Sequence, residues 1–243
     1  MSETWIILGA TSSIARVMAR RLAGRGAHLL LCGRDHADMQ ATAADALARG
    51  AAGAEVHGID VRNPDTFAPV IAAVNTLDGP VNVAVFVGSM PEQSEIDADP
   101  ALIDGTIADS LTGPARFLHE IAPLLEERGG SIAGVGSVAG DRGRVTNYVY
   151  GAAKAGFAAY LSGLRNRMAR KGVHVMTVKP GPVDTAMTWG MKMPLMTTPE
   201  AVADAILKGL ARKRNVIYTA GIWRPVMMVI RAVPEPIFKK TSF

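Results

Sequence analysis

Short, unbroken apolar runs constrain this chain more than any other feature. Residues 4–9 (TWIILG), 27–32 (AHLLLC) and 81–87 (VNVAVFV) are apolar almost throughout. A strand with one wet face alternates apolar and polar residues, whereas a continuous run belongs to a strand covered on both sides. Further strands are expected at Ala54–Ile59, Ser131–Gly136, Val173–Lys179 and Asn215–Thr219. Between them lie segments with helical character: Ser12–Arg25, Asp35–Arg49, Asn63–Leu77 with proline near its start, Pro100–Arg128, Asn147–Lys171 and Pro199–Arg212. This alternation predicts an α/β fold, a doubly wound parallel sheet in a three-layer α/β/α sandwich. The length of 243 residues suits one domain, residues 1–243. Ligands of such sheets bind beyond the carboxyl ends of the strands, so chemistry is expected after strands one, two, four, five and six.

Charge narrows the partners. A formal net charge of +4 suits a phosphate-bearing ligand or an anionic membrane surface, and lacks the dense basic stripe of a nucleic-acid binder. The single cysteine, Cys32, excludes an internal disulfide and fits a reducing cytoplasm. The strand beginning at Thr4 leaves no room for a signal peptide. The five histidines have no metal-ligand spacing, so no metal site is expected.

The first strand runs into LGATSSIARVMARRL, a hydroxyl-rich turn opening a helix. Unpaired amides and the dipole make that terminus attractive to anions, and Thr11, Ser12 and Ser13 add hydroxyls. A plain capped helix is the competing reading. After the second strand, Cys32 stands where a site for a free ribose 2′-hydroxyl usually carries an acid, and Arg34 follows. A guanidinium suits a 2′-phosphate, which favours NADP(H) over NAD(H) with NAD(H) still allowed; the alternative is a solvated arginine. Asp60 can accept from an adenine amino group or cap a turn.

The stretch GSVAGDRGRVTNYVYGAAKAG (136–156) carries the chemistry. In a helix, Tyr150 and Lys154 are one turn apart and share a face, whereas Tyr148 points elsewhere. At about 4 Å and an effective dielectric near 20, the ammonium would favour phenolate by on the order of 4 kcal/mol, roughly 3 pKa units before desolvation. Tyr150 is therefore expected to be acidified. Ser137, at a strand end, can donate to the same substrate oxygen, as carbonyl reduction requires.

These motifs resemble the short-chain dehydrogenase/reductase superfamily, whose fold is Rossmann-type, along nearly the whole chain. The family's serine falls on Ser137, its YxxxK on Tyr150 and Lys154, and its PG-x-x-x-T on Pro180, Gly181 and Thr185. The resemblance implies an NAD(P)(H)-dependent oxidoreductase with Tyr150 as acid/base and Ser137 polarising the carbonyl. Lys154 would lower the tyrosine pKa and hold the nicotinamide ribose. It implies coenzyme contacts from Gly9, Thr11, Ser12, Ser13, Ile14, Arg34, Asp60, Val61, Gly88, Tyr150, Lys154, Pro180, Gly181, Val183 and Thr185. Departures are present. TG-x-x-x-G-x-G reads LGATSSIA, with Ser13 and Ala15 at the later glycines. NNAG reads VFVG, and the catalytic asparagine of N-L-x-G aligns with Ser110. Loss of these residues leaves a competing reading, a catalytically silent NADP-binding regulator.

Residues 186–198 (AMTWGMKMPLMTT) match the family's substrate lid, and their methionines predict a substrate with a hydrophobic portion or pack on the protein's own core. The apolar segment 221–243 is too short to span a bilayer. Its prolines 225, 234 and 236 are expected to interrupt any long helix. It can lie on the inner membrane face with Trp223, Met227, Met228, Ile230 and Phe238 inward, or cap the cleft or a subunit contact. The tail and the GATSSIA loop resemble the bacterial branch that includes decaprenylphosphoryl-2-keto-ribose reductases, which implies a lipid-linked carbonyl substrate. Small residues from Gly151 to Ala158 permit close helix packing, and the family implies a homo-dimer or homo-tetramer.

Overall fold

The computed structural model describes residues 3–190 and 194–241. Lid residues Met191, Lys192 and Met193 and tail residues Ser242 and Phe243 lie outside the described set.

Seven strands form one parallel sheet in the order β3-β2-β1-β4-β5-β6-β7. They are β1 (Thr4–Leu8), β2 (His28–Gly33), β3 (Gly53–Gly58), β4 (Val81–Val85), β5 (Gly130–Val135), β6 (His174–Pro180) and β7 (Val216–Thr219). The helices are α1 (Ser13–Ala23), α2 (His36–Ala48), α3 (Ala68–Asn75), α4 (Gln93–Ala98), α5 (Ala101–Ile107), α6 (Gly113–Arg128), α7 (Tyr148–Ala169), α8 (Pro199–Ala211), α9 (Trp223–Ala232) and α10 (Glu235–Phe238).

The apolar runs become β1 and β4, which are buried at every position. Successive side chains leave a strand on opposite faces, so these strands serve two cores. Ile7, Leu29 and Leu31 pack with Met18 and Leu22 of α1, Met39 of α2 and Ile206 of α8. Ile6, Leu8 and Leu30 pack on the other face with Phe67, Phe117, Phe157 and Leu161. Phe67 and Phe117 meet edge to face at 5.3 Å. The Rossmann-type three-layer arrangement is thus a direct consequence of strands apolar on both sides.

Three helical expectations are corrected. The segment 63–77 is a 3-10 turn at Pro64–Thr66 followed by α3, because Pro64 and Pro69 each lack an amide donor. The segment 100–128 is two α-helices joined by a π turn, Ala108–Thr112. Pro114 cannot donate to the carbonyl four residues back, and the Gly113 amide bonds instead to Ala108, five back. In the tail, Pro225 sits in the first turn of α9, where proline is tolerated, and breaks nothing, whereas the expected interruption falls at Pro234, between the end of α9 and α10. Helix α4 falls in a segment where no element is expected from the sequence.

In this strand order, β1 has β2 on one side and β4 on the other. The chain winds in opposite directions from that seam, which leaves a crevice at the carboxyl ends of β1 and β4.

Candidate active site

A cavity of about 690 Å³ opens over that crevice. Of the expected catalytic and coenzyme-contacting residues, every one except Ser110 lines it.

Its first wall is the turn after β1. Gly9 has φ +84°, and a Cβ there would stand 2.9 Å from the Val87 nitrogen. Only glycine fits where the β1 and β4 loops touch. Ser12 precedes α1 in extended conformation and makes no side-chain cap, so the first-turn amides lack a capping side chain where Thr11, Ser12, Ser13 and Ile14 line the cavity. Arg34 follows β2, is exposed, and has no hydrogen-bond or ion-pair partner among the described residues. Asp60 caps a turn by accepting from the Arg62 amide at 2.9 Å while still lining the cavity, so its two readings coexist. Val61 is buried beside it.

The opposite wall comes from β5, β6 and α7. Ser137 follows β5 and accepts from the Ala139 amide at 3.1 Å. Tyr150 and Lys154 share the buried face of α7, with only 7% and 4% of their surfaces exposed. Tyr148 points away, is exposed and donates to Asp97. Pro180, Gly181, Val183 and Thr185 line the cavity after β6.

The expected acidification of Tyr150 does not occur in this structure. Burial pushes the phenol up to about 12, opposed only by the Ser137 hydroxyl. Lys154 Nζ lies 5.8 Å from the Tyr150 ring centroid and donates to the carbonyls of Val87 (3.3 Å) and Val135 (3.2 Å). Burial also weakens the ammonium itself, bringing its pKa down to about 8. Spacing along a helix puts two groups on one face, but desolvation sets the balance between their charges.

Ser110 does not line the cavity itself. It lies in the π turn, wholly buried, and its hydroxyl exchanges hydrogen bonds with the Ser89 backbone at 3.3 and 3.4 Å. It stands behind Gly88 together with the lysine: an added Cβ there would be 3.2 Å from Ser110 Oγ and 2.9 Å from Lys154 Nζ.

The tail packs on the site from outside. Trp223 and Met227, two of the five residues given a membrane-facing reading, are buried against Val138. A Cβ on Gly181 would collide with the Trp223 ring at 2.0 Å, so the glycine after Pro180 admits this indole. Arg142 holds the tail by donating to the carbonyls of Ile230 and Val233, both at 2.6 Å, and lies 3.7 Å from the Phe238 ring centre. In the lid, Met187 lines the cavity and Trp189 is 85% exposed.

Asp109, Arg144 and Asn147 also line the cavity and were not singled out by the sequence. Burial disfavours the Asp109 carboxylate, yet bonds from Arg62 at 2.7 and 2.8 Å hold it below the usual carboxylate range. The available signal for Arg144 and Asn147 was position alone, since both follow a strand whose carboxyl end borders the crevice. No group of three or more His, Cys, Asp or Glu side chains among the described residues could hold a metal ion.

Residues 3–194 match the family model for short chain dehydrogenases. An uncharacterized oxidoreductase of Mycobacterium tuberculosis is 32% identical over 238 residues, covering 97% of this chain and 95% of the relative. Among solved structures, a short-chain dehydrogenase from Sphingobium yanoikuyae in complex with NADPH superposes with a TM-score of 0.81 at 24% identity, covering 97% of each chain. A Burkholderia cenocepacia short-chain dehydrogenase in complex with NADP gives 0.78 at 20% identity, covering 96% of this chain and 98% of its own. A parallel sheet with its crevice at the β1–β4 seam, and a family match through the whole cavity-forming part of the chain, make this protein an oxidoreductase of the short-chain dehydrogenase family.

Proposed function

We propose that the protein interconverts a ketone and a secondary alcohol with NADP(H) as hydride carrier, Tyr150 being the proton donor in the reductive direction. The observation that carries this reading is the convergence of Ser137, Tyr150 and Lys154 on one cavity whose far end offers uncapped α1 amides and Arg34.

The residues present fit a dinucleotide phosphate. Amides of the first α1 turn suit a pyrophosphate, and Arg34, exposed at the cavity wall, suits a 2′-phosphate. The solved relatives with NADPH and NADP support that choice of coenzyme by analogy of fold. When bound, the reduced coenzyme supplies the hydride.

The chain's own residues manage the proton. With a pKa near 12, the Tyr150 hydroxyl is protonated at neutral pH. It can pass that proton to an alkoxide oxygen, a far stronger base, and recover it from solvent. Ser137 adds a second hydroxyl at the same oxygen, where donors aimed at developing charge lower the barrier. Lys154, largely charged below pH 8, places a cation behind the phenol as phenolate forms. Ser110 supports the Ser89 backbone beside Gly88.

The methionines facing the cavity, Met90 and Met187, favour a substrate with an apolar or lipid-linked portion. A peripheral membrane contact is supported by a specific surface: Met228, Val229 and Ile237 are exposed near Arg231, Lys239 and Lys240. Met228→Glu with Val229→Glu should reduce co-sedimentation with anionic liposomes if that face touches lipid, and unchanged partitioning rejects it. None of the described helices is long and apolar enough to cross a membrane. Ala152, Ala155 and Ala159 form an open face of α7 suited to a homo-dimer or homo-tetramer, which light scattering of the purified protein tests.

The test of the main reading is a coenzyme-fluorescence titration followed by a carbonyl panel that includes lipid-linked ketones. Saturable NADPH binding, weakened by Arg34→Asp, with oxidation of NADPH on at least one carbonyl, is the expected result. Binding without turnover on any carbonyl favours a silent regulator, and an unaffected Arg34→Asp variant overturns the coenzyme preference.

A further inference from the structure

Tyr150 sits in the first turn of α7, two residues after the helix begins at Tyr148. The amides of a first turn have no acceptor within the helix, and the turn frays unless a side chain closes it. Asn147 stands at the N-cap position, yet its side chain makes no cap. The reacting phenol is therefore carried on the least secured turn of its own helix.

A substitute cap comes from α4. Gln93 is buried, and its Oε1 accepts from the Val149 amide at 3.3 Å. Its Nε2 donates to Asp97 Oδ1, one turn along α4, at 3.0 Å. The same carboxylate oxygen accepts from the Tyr148 hydroxyl. These partners fix the Gln93 amide in one orientation, since a carboxylate needs its N–H end and a backbone amide needs its oxygen. A closed ring of hydrogen bonds thus joins two side chains of α4 to the first two residues of α7. The bonds from Tyr148 and Gln93 hold the Asp97 carboxyl below the usual carboxylate range, so the acceptor stays ionised at neutral pH. The same carboxylate pushes the Tyr148 phenol up, which keeps it a donor. Cavity-lining residues flank the ring on both sides. Met90, Pro91 and Glu92 run directly into α4, and Asn147 and Tyr150 bracket the two capped residues of α7.

We propose that Gln93, Asp97 and Tyr148 are positioning residues for the reaction, capping α7 from outside its own chain segment and holding the Tyr150 turn against the cavity. The inference rests on the carbonyl-reduction reading for the work Tyr150 does, and deepens it. It gives the two neighbouring tyrosines separate tasks: Tyr150 moves the proton and Tyr148 secures the turn that carries it. It also gives α4 a purpose, since this short helix ties the Met90–Glu92 wall of the cavity to the catalytic helix.

Two measurements on the full chain test it. Amide hydrogen exchange across residues 147–154 is followed by mass spectrometry in coenzyme-free wild type, Gln93→Leu, Tyr148→Phe, Gln93→Glu and the double variant Gln93→Glu with Asp97→Asn. Uncapping should release Gly151, whose amide bonds to the Asn147 carbonyl at 2.8 Å. Exchange in this segment should rise about fivefold or more in Gln93→Leu, the effect of losing one hydrogen bond, with β1 and β2 unchanged. Gln93→Glu sets a second carboxylate against Asp97 and should loosen the turn in the same way. Adding Asp97→Asn gives the new carboxylate a donor and Tyr148 an acceptor at the wild-type net charge, and should restore slow exchange. Steady-state NADPH oxidation is the second readout. The kcat should fall about fivefold or more in Gln93→Leu and Gln93→Glu and recover in the double variant, with the KM for NADPH unchanged. Exchange unaltered by Gln93→Leu, or a loosened turn with wild-type kcat, overturns the assignment. If Gln93→Leu does not fold, Tyr148→Phe, which deletes one exposed hydroxyl, is judged by the same criteria. A wild type that oxidises NADPH on no carbonyl overturns the reaction reading instead, and exchange with its rescue then decides by itself whether the ring holds the Tyr150 turn.

Discussion

The Lys154 ammonium stands 5.8 Å from the centre of the Tyr150 ring, one turn along α7, and both groups are buried. Its direct partners are two backbone carbonyls rather than the phenol, which makes the lysine a cation fixed behind the site by the ends of β4 and β5.

Burial of that cation has a consequence for stability. The folded-state pKa of Lys154 is depressed from 10.5 to about 8. Below pH 8 the group is charged in both folded and unfolded chains, and the desolvation penalty is present in full. Between pH 8 and 10.5 the unfolded chain binds more protons, so stability from this group rises with pH. The full span is on the order of 3 kcal/mol. Urea unfolding of coenzyme-free wild type and Lys154→Met at pH 7.5 and 9.5 checks it. The difference in stability between the two proteins should shift in favour of wild type at the higher pH.

Gly88 serves both the backbone and the buried cation. A Cβ there would meet the Lys154 ammonium at 2.9 Å, the far end of a flexible chain that can move aside. Gly88 has φ +157°, a backbone that alanine rarely adopts, so Gly88→Ala is expected to lower the melting temperature as well as displace the cation. Turnover should fall about tenfold or more, equivalent to about 1.4 kcal/mol of barrier. Melting curves alongside steady-state rates make the comparison.

Arg142 is the tail's anchor. It donates to the carbonyls of Ile230, Arg231 and Val233 and to the Glu235 carboxylate, and it packs against Phe238. These carbonyls lie at the end of α9, which lacks other capping side chains. Arg142→Ala should destabilise by about 1–3 kcal/mol, the worth of a charged hydrogen-bonding group. It should also expose residues 233–241 to limited proteolysis before the sheet opens. Equal protease resistance in variant and wild type contradicts the anchoring role.

Much of the fold was legible because it rests on local patterns. TWIILG and VNVAVFV leave no polar face, so a strand there must be covered twice. Tyr150 and Lys154 were paired by helical spacing alone, and the structure has them on one face. What was not legible depends on partners distant in sequence. Trp223 and Met227 show an apolar face that water-free protein or lipid could equally cover, and only the position of Val138 decides between them. The Arg62–Asp109 pair joins residues 47 apart with no periodic signal. The pKa of Tyr150 follows from burial, which spacing does not report. The π turn had a visible cue, the Gly113-Pro114 dipeptide, whose missing amide breaks the helical ladder.

The most direct measurement is NADPH oxidation with Tyr150→Phe beside wild type, on the best carbonyl the wild type accepts, with NADPH affinity measured in parallel. A proton donor in the transition state contributes about 10²- to 10⁴-fold. The account predicts a loss of turnover in that range with coenzyme affinity unchanged. Turnover within a few fold of wild type would contradict it.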